Sequence, residues 1–165
     1  LDKPYNGTLG EHYYLIGLGY NRLKKWADSI KYLTMAINLN PPDNLVWAYY
    51  NRADSFFRIK NYDASQNDFN KVIELKPDLV DAYFNRSKVN LAVGKRKEAI
   101  QDLTFALSFD HLNTKLLKEL ACQLVFDNQF SIASTYYQKL IDLLPFEAEN
   151  YYNLGAVPKE YLNVI

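Results

Sequence analysis

The sequence predicts an all-α protein built as a solenoid of antiparallel helix pairs. Two observations carry that expectation. The stretch Ala48-Tyr49-Tyr50-Asn51-Arg52-Ala53 returns 34 residues on as Ala82-Tyr83-Phe84-Asn85-Arg86-Ser87. Another step of 34 reaches Leu117, Leu120, Ala121 and Leu124, then Ala133, Tyr137, Leu140 and Pro145. Stepping back by 36 gives Tyr13, Ile16, Gly17 and Tyr20, then Ser29, Leu33, Ala36 and Pro41. A fixed period of this length marks identical supersecondary units that bury their apolar faces by stacking. The second observation is the spacing inside each copy, where apolar residues recur at the helical period.

Composition agrees with a folded chain. Of 165 residues, 48% are hydrophobic and 23% charged, too apolar for a disordered segment. Nineteen basic residues balance nineteen acidic ones, so no net field recruits nucleic acid or an anionic membrane. No apolar run is long enough for a membrane span. The chain begins Leu1-Asp2 rather than with Met, as a piece of a longer protein would. Cys122 is the single cysteine, which excludes an internal disulfide and a cysteine-based zinc site. Its place beside Ala121 fits a small half-buried residue better than a reactive thiol.

Taken in order, residues 1–9 carry Pro4 and Asn6-Gly7, turn chemistry that reads as a lead-in. Asn6-Gly7-Thr8 also fits a glycosylation acceptor, which matters only in a secreted protein. Thr8 followed by Glu11 makes a capping box and starts the first helix. A second helix from about Trp26 carries Ile30, Leu33 and Ile37 on one stripe. Lys24, Lys60, Gly94 and Asn128 fall at matching turns, where a left-handed residue ends a helix. Asp43, Asp78 and Asn113 are expected to cap the helices that follow. A fifth first helix, with Tyr151, Tyr152, Asn153, Leu154 and Gly155, is cut short by Pro158 and should cover the open end of the fourth copy. The expected boundaries are a lead-in over 1–9, copies over 10–43, 46–79, 80–113 and 114–147, and a partial fifth over 148–165.

The motif itself is an aromatic, a small residue, a second aromatic, then Ala and a closing Pro. It resembles the tetratricopeptide repeat (TPR) family. The small residue is Gly17, Ala53, Ser87, Ala121 and Gly155; the small residue of the second helix is Ser29, Ser65, Ala99 and Ala133; the closing position is Pro41, Pro77, His111 and Pro145. Asn90 departs from the pattern, standing where Tyr20 and Phe56 stand, and Arg52 and Arg86 replace the usual Leu. The resemblance implies a right-handed superhelix whose first helices line the concave side.

On that side, matching positions form rows. One reads Leu15, Asn51, Asn85, Glu119, Asn153; the row before it reads Tyr14, Tyr50, Phe84, Lys118, Tyr152; a third reads Leu18, Asp54, Lys88, Cys122, Ala156. An amide side chain donates and accepts at once, so a ladder of Asn can hold a peptide backbone whatever its side chains. In this the chain is similar to the TPR superhelices of O-linked N-acetylglucosamine transferases and of the peroxisomal import receptor. The expected peptide-binding residues are therefore Asn51, Asn85, Asn153, Tyr14, Tyr50, Phe84, Asp54 and Lys88. The plainer alternative is that these Asn are ordinary solvent-facing polar residues, with Tyr50 and Phe84 serving as packing.

Other chemistries fall away. His12 and His111 lie about a hundred residues apart, with no metal-ligand spacing, phosphate loop or paired nucleophile. Gly17-Leu18-Gly19 is a packing pair within the repeat, and Lys95-Arg96-Lys97 a solvated helix start. No cofactor is expected, and an enzyme would need a catalytic domain outside these residues. Heat-shock co-chaperones of the TPR family grip a terminal carboxylate with Lys and Asn on one first helix, Asn on the next, and Lys and Arg on the third. Here Tyr14, Leu18, Asn51, Asp81 and Asn85 stand in those places, and only the middle Asn survives. The expected function is a scaffold that binds a protein or an extended peptide, with no nucleic acid and no membrane. The alternative is an assembly segment that packs on itself, as a homo-oligomer, or on neighbouring domains.

Overall fold

The computed structural model describes residues 8–39 and 44–162. Among them the chain forms α1 (Leu9–Arg22), α2 (Trp26–Asn38), α3 (Leu45–Arg58), α4 (Tyr62–Leu75), α5 (Val80–Ala92), α6 (Arg96–Phe109), α7 (Thr114–Phe126), α8 (Phe130–Leu143) and α9 (Ala148–Gly155), then a 3₁₀ turn over Lys159–Tyr161. No strand occurs among the described residues, as the all-α expectation requires. The chain divides into two compact units, Leu1–Val93 and Gly94–Ile165.

In the first unit α1 packs on α2, α2 on α3, α3 on α4 and α4 on α5. Small residues set how closely these helices approach. A methyl group on Gly17 would lie 2.7 Å from Leu33 Cγ, so α2 occupies the space that a side chain there would need. Ser55 Oγ donates to Ser29 Oγ at 3.0 Å, and Ser65 Oγ donates to the Ala53 carbonyl at 2.8 Å. Small size and a short hydroxyl thus serve one purpose: contact between backbones with no buried donor left over. Ala53, Phe69 and Val89 form a core against which Tyr50, Phe57 and Tyr62 pack. Burying a ring such as Phe69 contributes about 1.5–3 kcal/mol.

The two departures from the motif find partners here. Arg52 pairs with Asp68 on α4 and lies over the rings of Tyr49 and Phe56. The oxygen of the buried Asn90 amide accepts from Gln66 Nε2 at 3.1 Å.

In the second unit α6 packs on α7, α7 on α8 and α8 on α9. Leu116, Leu117, Leu120 and Leu140 are almost wholly buried. The segment after α9 lies over α8, where Val157 is buried and the Tyr161 ring meets Phe130 at 5.5 Å. The helix α9 ends at Gly155, ahead of Pro158, as expected.

Helix ends follow backbone chemistry more than side-chain caps. The Thr8–Glu11 capping box forms, and Asn113 accepts from the Leu116 N–H. Asp78 does not cap α5. Leu79, whose side chain has no acceptor, holds the cap position, and the Leu79 carbonyl takes the Ala82 N–H. The proposed cap at Asp43 and the Asn6-Gly7 pair lie outside the described residues. Lys24, Lys60, Asn128 and Gly94 are left-handed, at φ of 58°, 62°, 59° and 79°. At the first, Lys25 N–H bonds back to the Tyr20 carbonyl and Lys24 N–H to that of Asn21. Asn61 and Lys60 repeat this double bond, as do Gln129 and Asn128, so three turns close by the same pair of main-chain bonds.

Candidate functional site

The first unit gathers five of the eight expected binding residues at one cleft and its margin. The cleft, of about 260 Å³, is lined by Asp54, Phe57 and Arg58 of α3, Phe69 of α4, and Asn85 and Lys88 of α5. Residues three and four apart on a helix share a face, which is why Tyr50, Asp54 and Arg58 come together. The α5 residues Asn85 and Lys88 do so for the same reason.

Asn85 ties the two helices. Its Nδ2 donates to the Tyr50 hydroxyl at 2.7 Å, and its Oδ1 accepts from Lys88 Nζ at 3.1 Å. One amide hydrogen and one lone pair remain for a ligand. The Lys88 ammonium lies 4.1 Å from the centre of the Phe84 ring. Phe84 is itself buried and does not line the cleft. Burial, reinforced by the carboxylates of Asp81 and Asp54, pushes the Tyr50 phenol up to about 12 against the opposing bond from Asn85. Tyr50 therefore stays a neutral hydroxyl, and its ring stands edge-on to Trp47 and Phe69 at 5.8 Å.

Asn51 behaves differently from Asn85. Its Nδ2 donates to the Trp47 carbonyl of its own helix at 2.7 Å, which leaves the amide oxygen and the second N–H. Asp54 is fixed by Arg58 Nε at 3.3 Å and lies near Asn21 Nδ2, 3.5 Å away. Asn21 also donates to Ser55 Oγ at 3.0 Å and to the Asn51 carbonyl at 3.3 Å. Sequence reasoning missed Asn21, Arg58 and Phe57. Arg58 had a signal, since it follows Asp54 by one helical turn; Asn21 had none, because its partners lie on another helix.

Asn51 does not line this cleft, and neither do two further expected residues, Tyr14 and Asn153. Tyr14 is half-buried on α1, its phenol raised by burial with Arg22 opposing. Asn153 is half-buried on α9, in the second unit. Glu119, which interrupts the Asn row, accepts from Gln123 Nε2 at 2.9 Å, and Lys118 pairs with Glu149. Cys122 is half-buried with its thiol raised by burial and by Glu119, the opposite of what a nucleophile needs. No group that could hold a metal ion occurs among the described residues, and no described helix is long and apolar enough to cross a membrane. What the cleft offers is hydrogen-bonding capacity beside aromatic rings.

Comparison with known proteins places the fold. A family model for the tetratricopeptide repeat matches residues 48–79, the stretch that carries Tyr50, Asn51 and Asp54. That stretch is a tetratricopeptide repeat. The chain is 31% identical over 103 residues to serine/threonine-protein phosphatase 5 of Rattus norvegicus, covering 61% of this chain and 20% of that protein. It thus spans about a fifth of that relative's length. Among solved structures, MamA superposes with a TM-score of 0.80 at 17% identity, over 90% of this chain and 80% of that one. The first TPR domain of Spaghetti (RPAP3), bound to the HSP90 peptide SRMEEVD, gives 0.64 at 24% identity, over 69% and 89%. These likenesses show the TPR fold.

Proposed function

We propose that this TPR chain is a non-catalytic interaction module that holds an extended protein segment against the first-helix face of α3 and α5. The observation that carries the reading is Asn85, its amide oriented by Tyr50 and Lys88 at the edge of a cleft and still able to donate and accept. Asn51 supplies an acceptor one copy back in the same row, and Asp54 a carboxylate held by Arg58. The RPAP3 domain, which shares the fold, holds a peptide, and that supports the partner class. The same reading divides the chain into four repeats, 10–43, 46–79, 80–113 and 114–147, with a partial fifth over 148–165.

The test begins with a displayed peptide library panned on the intact chain, the selected peptides then being titrated by fluorescence anisotropy. A net hydrogen bond contributes about 1 kcal/mol, and one left unpaired in the complex costs roughly 1–3. Replacing Asn51 and Asn85 by Ala together should cost about 2–4 kcal/mol of binding, or about 30- to 800-fold. Undiminished affinity in the double variant sinks the reading.

A further inference from the structure

The fifth first helix carries a buried polar residue where the second, third and fourth copies carry an apolar one, and His12, at this place in the first copy, is exposed. Stepping back from Asn150 by the repeat gives Leu116, Ala82 and Ala48, all apolar and at most 2% exposed. Asn150 is buried to the same degree, at 4% exposed, yet its Nδ2 has no hydrogen-bond partner. A buried amide left unpaired is costly, and the repeat shows that an apolar residue fits this position. The position is polar at the expense of stability, which points to a ligand.

The surroundings say which kind. Asn150 lines a cleft of about 280 Å³ with Thr114, Lys115 and Lys118 of α7, Leu140 and Leu144 from the end of α8, and Glu147 and Glu149. Thr114 and Lys115 lead α7, where backbone N–H groups have no acceptor within the helix. Donors therefore collect around an apolar floor, with the charges of two lysines and two glutamates in balance at the margin. Lys118 neutralises Glu149 across the cleft. Glu147 remains at the rim and disfavours a dianion or a run of acidic residues.

We propose that this cleft is a second ligand site, one that takes a single carboxylate carried on a short aliphatic group. The carboxylate accepts from Asn150 Nδ2 and from the Thr114 hydroxyl beside Lys115, and the aliphatic part lies on Leu140 and Leu144. A chain terminus and an acidic side chain both present this chemistry. The site stands apart from the α3–α5 cleft and does not rest on the peptide reading given above.

The test titrates the intact chain with three small probes while following the Asn150 side-chain NH₂ pair in a nitrogen–proton correlation spectrum. They are N-acetyl-leucine, its neutral amide, and N-acetyl-glutamic acid α-amide, whose only carboxylate is on the side chain. N-acetyl-leucine should shift the Asn150 pair saturably, with a Kd on the order of 1 mM. A matching response to the glutamate probe assigns the site to side chains as well as termini, and its absence assigns it to termini; either supports the site. Asn150→Ala should abolish the response, measured at neighbouring Glu149 and Lys118 amides, and should raise Tm by roughly 2–10 °C. An equal response to the neutral amide, or no saturable response to either acid, overturns the proposal. So does a Tm that stays put or falls in Asn150→Ala, since the amide would then be satisfied within the protein.

Discussion

Arg52 grips Asp68 with two parallel bonds, Nε to Oδ2 at 2.7 Å and Nη2 to Oδ1 at 2.8 Å, while Nη1 reaches Thr34 Oγ1 at 3.0 Å. The pair is well shielded, the two side chains being 16% and 7% exposed. Arg52→Ala strands a buried carboxylate and should cost about 3–5 kcal/mol in urea denaturation. Replacing both residues with Leu removes the charge as well as its partner and should restore most of that loss. A single variant within 1 kcal/mol of the parent (about one-third of the expected effect) would show the pair to be ornamental.

Two glycines on α1 should respond oppositely to the same change. Gly17→Ala drives a methyl group into Leu33, a clash that costs about 1–3 kcal/mol. At Gly19 an added Cβ meets nothing within 4 Å, so Gly19→Ala should gain about 0.5–1 kcal/mol of helix stability. Thermal melts of the two variants check this; equal shifts would show that close helix approach is not what selects Gly17.

Alkaline pH should destabilise the fold through two tyrosines. Burial leads the causes that push Tyr50 and Tyr137 each up to about 12. The unfolded phenols ionise near the ordinary value of about 10, so the unfolded state sheds protons first. The stabilising contribution is complete below pH 10 and is lost as pH climbs towards 12. Tyr50→Phe should flatten the fall of Tm over that window. An unchanged alkaline slope in both Tyr50→Phe and Tyr137→Phe would refute the account.

The peptide SRMEEVD, held by the RPAP3 domain, should not be held at the α3–α5 cleft. Asp54 lies in that cleft, Asp81 is close enough to act on Tyr50, and both repel a run of carboxylates. Calorimetry with the free and amidated peptides decides the matter. Low-micromolar binding that amidation abolishes, with Asn85 resonances moving, would contradict it.

Removing residues from 147 onward should lower stability and solubility. The truncation strips Val157 and the Tyr161 ring from α8 and the Glu149 partner from Lys118. Light scattering and a melt compare the two chains, and equal solubility with equal Tm would remove the capping role from α9.

The repeat made helix spans and turns legible because both are local. Period and stripe fixed where α2 begins, and four turn residues announced their left-handed backbone. Asp78 has the side chain of a cap, but α5 starts one residue later than that side chain would require. At the cleft, Asn85 and Tyr50 could be placed on one face from their phase, but not the bond between them. That bond and the Arg52–Asp68 pair depend on rotamers chosen across neighbouring helices, which no single helix encodes. The rows mark surface residues, whereas the signal of Asn150 is a polar residue at a buried phase.

The pairings between helices also govern how the chain reaches this state. Each one described joins elements that are next, or next but one, along the chain, from α1 with α2 to α8 with α9. Contacts of such short reach close small loops, so little chain entropy is lost before a contact forms, and folding is fast for the chain's size. A ribosome adding about 5–20 residues per second gives α1 and α2 seconds to meet before α5 is made. Each emerging helix then finds its partner already in place, and the slow search for distant segments that burdens sheet proteins is avoided.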